Sequence, residues 1–561
     1  MRASPPLSAS LILVAATIAG AGCSSSANSS GSNGQYGGTV VITPNADASS
    51  LFPPLVSELT DHLVQDQVFD RLAEIDENLT TVGDKGFTPR LAKSWTWALD
   101  SMSIAFHIDP RARWHDGKPV TAKDVQYTFR AFTDPKVASP NASGLANIDS
   151  VSVRDSMTAV VWFKKRTPEQ FYDIAYQLVI VPEHIYGSIP MDQLKSSPLI
   201  RTPIGTGRFR FVRWDPGTRI ELVADTANFR GRPKLDRLIF APAPPATAST
   251  QILVGQADFM EGFPIDRAAV LDTSSVARGM VLPTFGYTFM AMNRFAHKST
   301  TTPHPIFSDI RVRRALSMAV NRVAMLDNVF GKAGHLSHGP FPMSVKFADS
   351  TLHMPPYDTT AAKAMLDSSG WRVGSDGMRS RGGAPLRFTI LTPSISLFRQ
   401  RYAVLMQAAF KQIGVQADIE QGDNQVVGAK TATGDFDAVL WTFSMDPSPS
   451  GVRQVWGTEG IASGVNLLRY SNKTVDAALD SAATSFDPKQ TKRFTSRAFQ
   501  KIIDDAPAIF LYDVTLVYAA NRRITLAPTR PDEWWANLAD WSIPADKRID
   551  RDRIGLTTAQ R

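Results

Sequence analysis

Cysteine is almost absent: Cys23 is the only one among 561 residues. A disulfide framework within the chain is excluded, and so is a CxxC metal or redox site. The nine histidines are scattered. The tightest group, His335 and His338, sits in a Gly-rich stretch with His304 distant in sequence, and it reads as loop histidines rather than metal ligands. No HExxH, GxSxG or P-loop pattern occurs, and Gly205-Thr206-Gly207 lacks the third glycine of a dinucleotide fingerprint. The pair Asp504-Asp505 falls at an expected helix end and reads as solvated rather than as a general acid and base. No cofactor is indicated, and no nucleophile–base constellation marks an enzyme. Long runs of one charge are missing as well. The 60 Lys+Arg and 53 Asp+Glu are interspersed for a net charge of +7. Nucleic-acid binding gathers positive charge into a stripe, so it is set aside. Beyond the N-terminal region no segment approaches 18 uninterrupted apolar residues, so no further membrane span is expected.

What is present begins with an address. Residues 11–18 (LILVAATI) form a short apolar core, with Arg2 the only charge before it and Ala19, Gly20, Ala21 and Gly22 leading to Cys23. This is the layout of a signal peptide, expected over 1–22. It resembles a bacterial lipoprotein signal with its lipobox, which implies diacylglycerol on Cys23. Gly20 stands where Leu is usual, and the alternative is a plain secretory signal with an incidental cysteine. Residues 24–35 (SSSANSSGSNGQ) are too polar to bury surface, so 23–36 is expected to be a flexible tether.

The remaining length is too great for one core, and apolar content of 43% with 20% charged residues fits a folded chain of two or three domains. Short strands are expected at Thr39–Ile42, 103–108 and 157–163, with a capping box at Thr121-Ala-Lys-Asp124 opening a helix through Phe129. Apolar residues at 312–330 recur at three and four and predict one helix, capped by Ser308 and ended by Gly331. A strand over 386–391, a helix over 397–413 stopped by Gly414, and strands over 415–419 and 437–441 follow. That strand–helix–strand spacing favours a parallel sheet.

One stretch is far more specific. Residues 91–130 contain Leu-Ala-x-x-Trp, a strand, and then Trp114, Asp116, Gly117, Pro119, Thr121, Ala122, Asp124 and Val125 at fixed spacing. Pro203-Ile-Gly-Thr-Gly207, Asn228 to Pro233, Leu253-x-Gly255-x-x-Asp258, Met292-Asn293, and Arg311 to Leu316 follow in order. Together these resemble the family 5 extracellular solute-binding proteins of ABC importers, the peptide/nickel class. The resemblance implies an α/β, class II periplasmic-binding-protein-like two-lobed fold with an additional α+β subdomain. Lobe I would take 37–66, 201–288 and 511–561, the extra subdomain 67–200, and lobe II 289–510. It also implies an importer component that works without covalent chemistry. Such a chain is a monomer on the extracytoplasmic face of the cell envelope, held to the membrane by its lipid and partnered by an ABC permease.

In peptide-binding relatives an extended ligand adds to sheet edges. The lobe I loop that would contribute here matches Val56, Ser57 and Glu58. Tyr287 and Asn293 mark the crossing into lobe II. Trp441 falls on an aromatic position, and Ser444 falls where relatives carry the Asp that pairs a ligand ammonium. A hydroxyl cannot supply that charge, which weakens the case for peptides with a free N-terminus; Asp446 is the nearest substitute carboxylate but aligns better with the turn before Pro447. Trp534, Trp535 and Trp541 read as packing. The ligand stays open between a peptide or peptide-like solute and a nickel chelate, haem or oligosaccharide, with an enzyme or sensor on the same scaffold as the remaining alternative. If Cys23 is lipidated, the chain made in a bacterial host will enter the detergent phase of a Triton X-114 partition. Cys23→Ala will then move it to the aqueous phase, and a wild-type chain that stays aqueous refutes the anchor.

Overall fold

The computed structural model describes residues 36–462 and 464–553. Cys23, the expected signal segment and the tether up to residue 35 lie outside the described residues. Among the described residues no helix is long and apolar enough to cross a membrane.

An eleven-stranded sheet organises the molecule. Its centre is a pair of long antiparallel strands, Ala277–Met292 and Ala508–Asn521. On one side of the pair, strand Ala438–Ser444 joins antiparallel to Ala277–Met292, and Arg387–Pro393 and Gln416–Gly422 then add in parallel. On the other side, Phe259–Met260 pairs with Ala508–Asn521 and leads to Thr39–Thr43 and Arg237–Phe240 in parallel, with two antiparallel strands at the edge. Parallel strands need crossover helices that cover the faces. The result is two α/β lobes on one continuous ladder. An additional four-stranded antiparallel sheet packs beside the helix Ala122–Thr133. The ladder between the long strands is broken once at length, between Pro283 and Tyr287.

Local chemistry explains the spaced motif. Thr121 and Asp124 form the expected capping box, and the helix runs a turn past Phe129 to Thr133. Trp114 is fully buried, and the Asp116 side chain accepts the Lys118 N–H at 3.1 Å while meeting His184 at 2.8 Å. His115 joins this hairpin to the Gly205-Thr-Gly207 turn, accepting the Gly205 N–H at 3.2 Å. A Cβ at Gly205 would lie 1.8 Å from the Val68 carbonyl oxygen, so only glycine allows that approach.

The single helix expected over 312–330 is two helices, Ile310–Ala319 and Arg322–Phe330. Val320 is extended, and Asn321 caps the second helix by accepting the Ala324 N–H. Asp309, not Ser308, caps the first. The periodic pattern misled because both helices bury residues in one core, while Val323, at the break, is 55% exposed. Asp505 is likewise not simply solvated: Tyr470, Asn472 and Lys501 all donate to its carboxylate.

Distant chain segments are tied by a buried ion network. Arg523 donates to both oxygens of Asp258, at 2.8 and 2.9 Å, to Asp552 at 2.7 Å and to the Thr39 carbonyl at 2.7 Å. Asp258 also accepts the Val41 N–H, which gives the Gly255-x-x-Asp258 motif its task of clamping the first strand. Removing one partner strands the others without water. Arg523→Met should therefore lower the stability of the fold by about 3–5 kcal/mol, read as a lower urea midpoint at neutral pH. An unchanged midpoint would refute the network's role.

Candidate functional site

A cavity of about 570 Å³ opens where the long strands lose register. That volume suits a small ligand. Leu282–Gly286 and the facing Val514, Leu516 and Tyr518 form its floor. Helix Leu59–Val68 contributes Leu59, His62 and Gln65, and the additional subdomain contributes Tyr172, Tyr176 and Gln177. The second lobe contributes Thr442 and Ser444 through Pro447, and the C-terminal segment contributes Arg530 through Trp535. Glu169 of the additional subdomain accepts hydrogen bonds from Ser448, at 2.7 Å, and from Ser450, so the segment after Asp446 is held against that subdomain.

The expected site residues divide sharply. Ser444 and Asp446 line the cavity. Trp441 does not: successive strand residues face opposite sides, so Trp441 and Phe443 turn away from the face that carries Thr442 and Ser444. Phe443 packs tilted against Phe289 with ring centroids 5.4 Å apart, and Trp441 packs partly buried on the same core. Tyr287 is fully buried with its hydroxyl accepting from Trp456 Nε1 at 2.8 Å, and Asn293 is buried with its amide donating to the Gly434 and Phe436 carbonyls. Both are core residues rather than cavity walls, which corrects the expectation for them. Val56 is buried, while Ser57 and Glu58 are exposed and form the start of helix Leu59–Val68 through the Asp61 carboxylate. That loop lies at the rim, between the lining residues Pro53 and Leu59, and it touches the cavity through Asn141, whose amide donates to the Val56 carbonyl at 3.0 Å.

The C-terminal wall was not anticipated. Trp534 and Trp535 line the cavity, and only Trp541 is pure core. Arg530, Asp532 and Glu533 stand with them; the dense run of charge beside a tryptophan pair was the available signal. The two guanidiniums of the lining also reach two carboxylates outside it, Asp66 and Glu74. Arg71 meets Asp66 and Glu533, each at 3.1 Å. Arg530 meets Glu74 at 2.8 Å, Asp532 at 3.0 Å and Glu533 at 3.1 Å. His62 adds no charge, because burial lowers its pKa. Asp446 has no hydrogen-bond or ion-pair partner among the described residues. It is open to the cavity, yet the surrounding protein desolvates it and raises its pKa. The cavity lining thus carries four carboxyls, Glu261, Asp446, Asp532 and Glu533, against the guanidiniums of Arg71 and Arg530, and burial raises the pKa of Asp446 and Glu261 and pushes Glu533 up to about 8.

Among known proteins, the family description "Bacterial extracellular solute-binding proteins, family 5 Middle" matches residues 86–463. The oligopeptide-binding protein AppA of Bacillus subtilis (strain 168) is 26% identical over 500 residues, covering 87% of this chain and 88% of its own. The structure of AppA from Bacillus subtilis in complex with a nonapeptide superposes with a TM-score of 0.73 at 23% identity, over 91% of this chain and 99% of that one. NikZ from Campylobacter jejuni in complex with Ni(L-His) gives 0.74 at 22%, over 90% and 99%. The two superpositions establish the two-lobed fold.

A second carboxyl sits at the break in the ladder. Burial pushes Asp513 up to about 7, against a hydrogen bond from the Met343 N–H. Its pKa in the unfolded chain is about 3.9. Between those values the folded chain holds more protons, so this group's contribution is full below about pH 4 and is lost as pH rises through 7. Asp513→Asn should flatten that fall and make the chain more stable than wild type at pH 8, by a few kcal/mol at most. Parallel stability–pH curves for the two proteins would show that Asp513 titrates normally.

Proposed function

Because the chain belongs to the family 5 bacterial extracellular solute-binding proteins, we propose that it captures peptides in the cavity between its lobes and delivers them to an ABC permease. Asp446 carries this reading. It is a cavity carboxylate with no cation of its own, beside the strand end where Ser444 removes the charge expected there. A ligand ammonium docked on it gains a charge-assisted hydrogen bond. The surplus of carboxyls disfavours anionic ligands such as haem propionates and favours free N-termini. AppA, an oligopeptide-binding protein by name, supports the same class.

Lobe I is taken as 37–66, 201–288 and 511–561, lobe II as 289–510, and the third body as 67–200. Ligand shifts an open–closed equilibrium about the two long strands, whose lost register at Pro283–Tyr287 concentrates the bending there. The permease then meets the closed form. The family consists of binding proteins, and the reading extends that to a chain without catalysis, monomeric and lipid-anchored through Cys23 outside the cytoplasm.

Calorimetry with alanine-rich tri- to nonapeptides tests it. Peptides with free N-termini should bind the whole chain, and N-acetylation or Asp446→Asn should each weaken binding roughly 10- to 100-fold, as expected for a hydrogen bond to a charged group. Equal affinity of acetylated and free peptides would remove Asp446 from the role, and binding of none would end the peptide reading.

A further inference from the structure

Glu261 is the second carboxylate of the cavity without a cation. It follows strand Phe259–Met260, which pairs with Ala520 and Ala519 of the long strand. One carboxylate oxygen accepts from the Tyr518 hydroxyl at 3.3 Å and the other from Trp534 Nε1 at 3.1 Å. Both donors are neutral. Every other acid on this wall has a guanidinium: Asp532 and Glu533 share Arg530, and Glu533 also has Arg71. A carboxylate accepts at about four lone-pair sites, so two remain for a ligand. The rings around Glu261 are fixed rather than adaptable. Trp534 stacks tilted on Phe259 at 4.4 Å and meets Trp535 edge-on at 5.6 Å. Burial without a countercharge raises the pKa of Glu261, so an arriving cation restores what desolvation took away.

Glu261 and Asp446 stand on different elements of the cavity wall. Asp446 hangs from the strand that pairs with Ala277–Met292, and Glu261 from the strand that pairs with Ala508–Asn521, so the two long strands lie between their anchor points. We propose that Glu261, walled by Trp534 and Tyr518, is a separate subsite for a cationic side chain, lysine or arginine, of the bound peptide. Carboxylate and aromatic faces together are the chemistry that recognises such a group, by charge-assisted hydrogen bonds and cation–π attraction. The assignment rests on the peptide reading and narrows it: the chain selects peptides that carry a basic residue beyond the N-terminus.

The test is a scan of free-N-terminus pentapeptides of alanine in which one lysine, or one norleucine as its uncharged match, occupies each position in turn. Binding to the whole chain is measured by calorimetry. At one position lysine should exceed norleucine by about tenfold, equivalent to ~1.4 kcal/mol. Glu261→Gln, whose amide oxygen can accept from Trp534 Nε1 while its amide nitrogen donates to the Tyr518 hydroxyl oxygen, should erase that preference while leaving the all-alanine peptide within about twofold of wild type, a spread equivalent to ~0.4 kcal/mol. Glu261→Asp should keep the preference. Binding of the all-alanine peptide with no lysine preference at any position, or a preference that survives Glu261→Gln, overturns the subsite alone. Failure of every peptide to bind overturns the peptide reading and the subsite with it.

Discussion

Two strands hold the molecule to a single mechanical plan. Ala277–Met292 and Ala508–Asn521 are hydrogen-bonded to each other along most of their length, and each lobe grows outward from one of them. A continuous ladder resists sliding, because one residue of slip would turn every buried side chain to the wrong face. It bends more easily where its hydrogen bonds are lost, and they are lost between Pro283 and Tyr287. The cavity opens on that interval, so the proposed ligand site and the break in the ladder coincide. Just beyond it the ladder is reinforced by packed rings: Tyr287, Phe289, Phe443, Trp456 and Phe510 lie within 6.4 Å of one another in successive pairs.

Charge is organised by the same economy. Buried ions are stable only when each has a partner and its remaining hydrogen bonds are met. Several buried or lining charges follow this rule: Arg523 with Asp258 and Asp552, Arg71 with Asp66 and Glu533, Arg530 with Glu74 and Asp532. Against that background Asp446 and Glu261 stand out as acids left without a base, both facing the same space. Of the acids lining the cavity, Asp532 and Glu533 are paired with guanidiniums, and Asp446 and Glu261 are not.

The legibility of the sequence varied with the range of the interaction. Capping at Thr121 and Asp124, the stop at Gly414 and the alternating strand at 103–108 depend on neighbours a few residues away, and they were readable directly. Periodicity failed at 312–330 because apolar spacing records which face is buried, not whether the backbone is continuous. That Asn321 caps a second helix became visible only in the backbone. Trp441 shows a subtler failure. It was grouped with Ser444 by position in a motif, although strand alternation alone puts residues an odd number apart on opposite faces.

The sequence by itself determined the family and the presence of two α/β bodies with an added α+β body, because these are written in local spacing and residue type. Only the tertiary structure decided which charges were spoken for. Arg71 finds Glu533 across 462 positions, and Glu261 finds Trp534 across 273. Whether a carboxylate is neutralised or free depends on distances of a few ångströms between residues far apart in the chain, and nothing in their linear order encodes that separation.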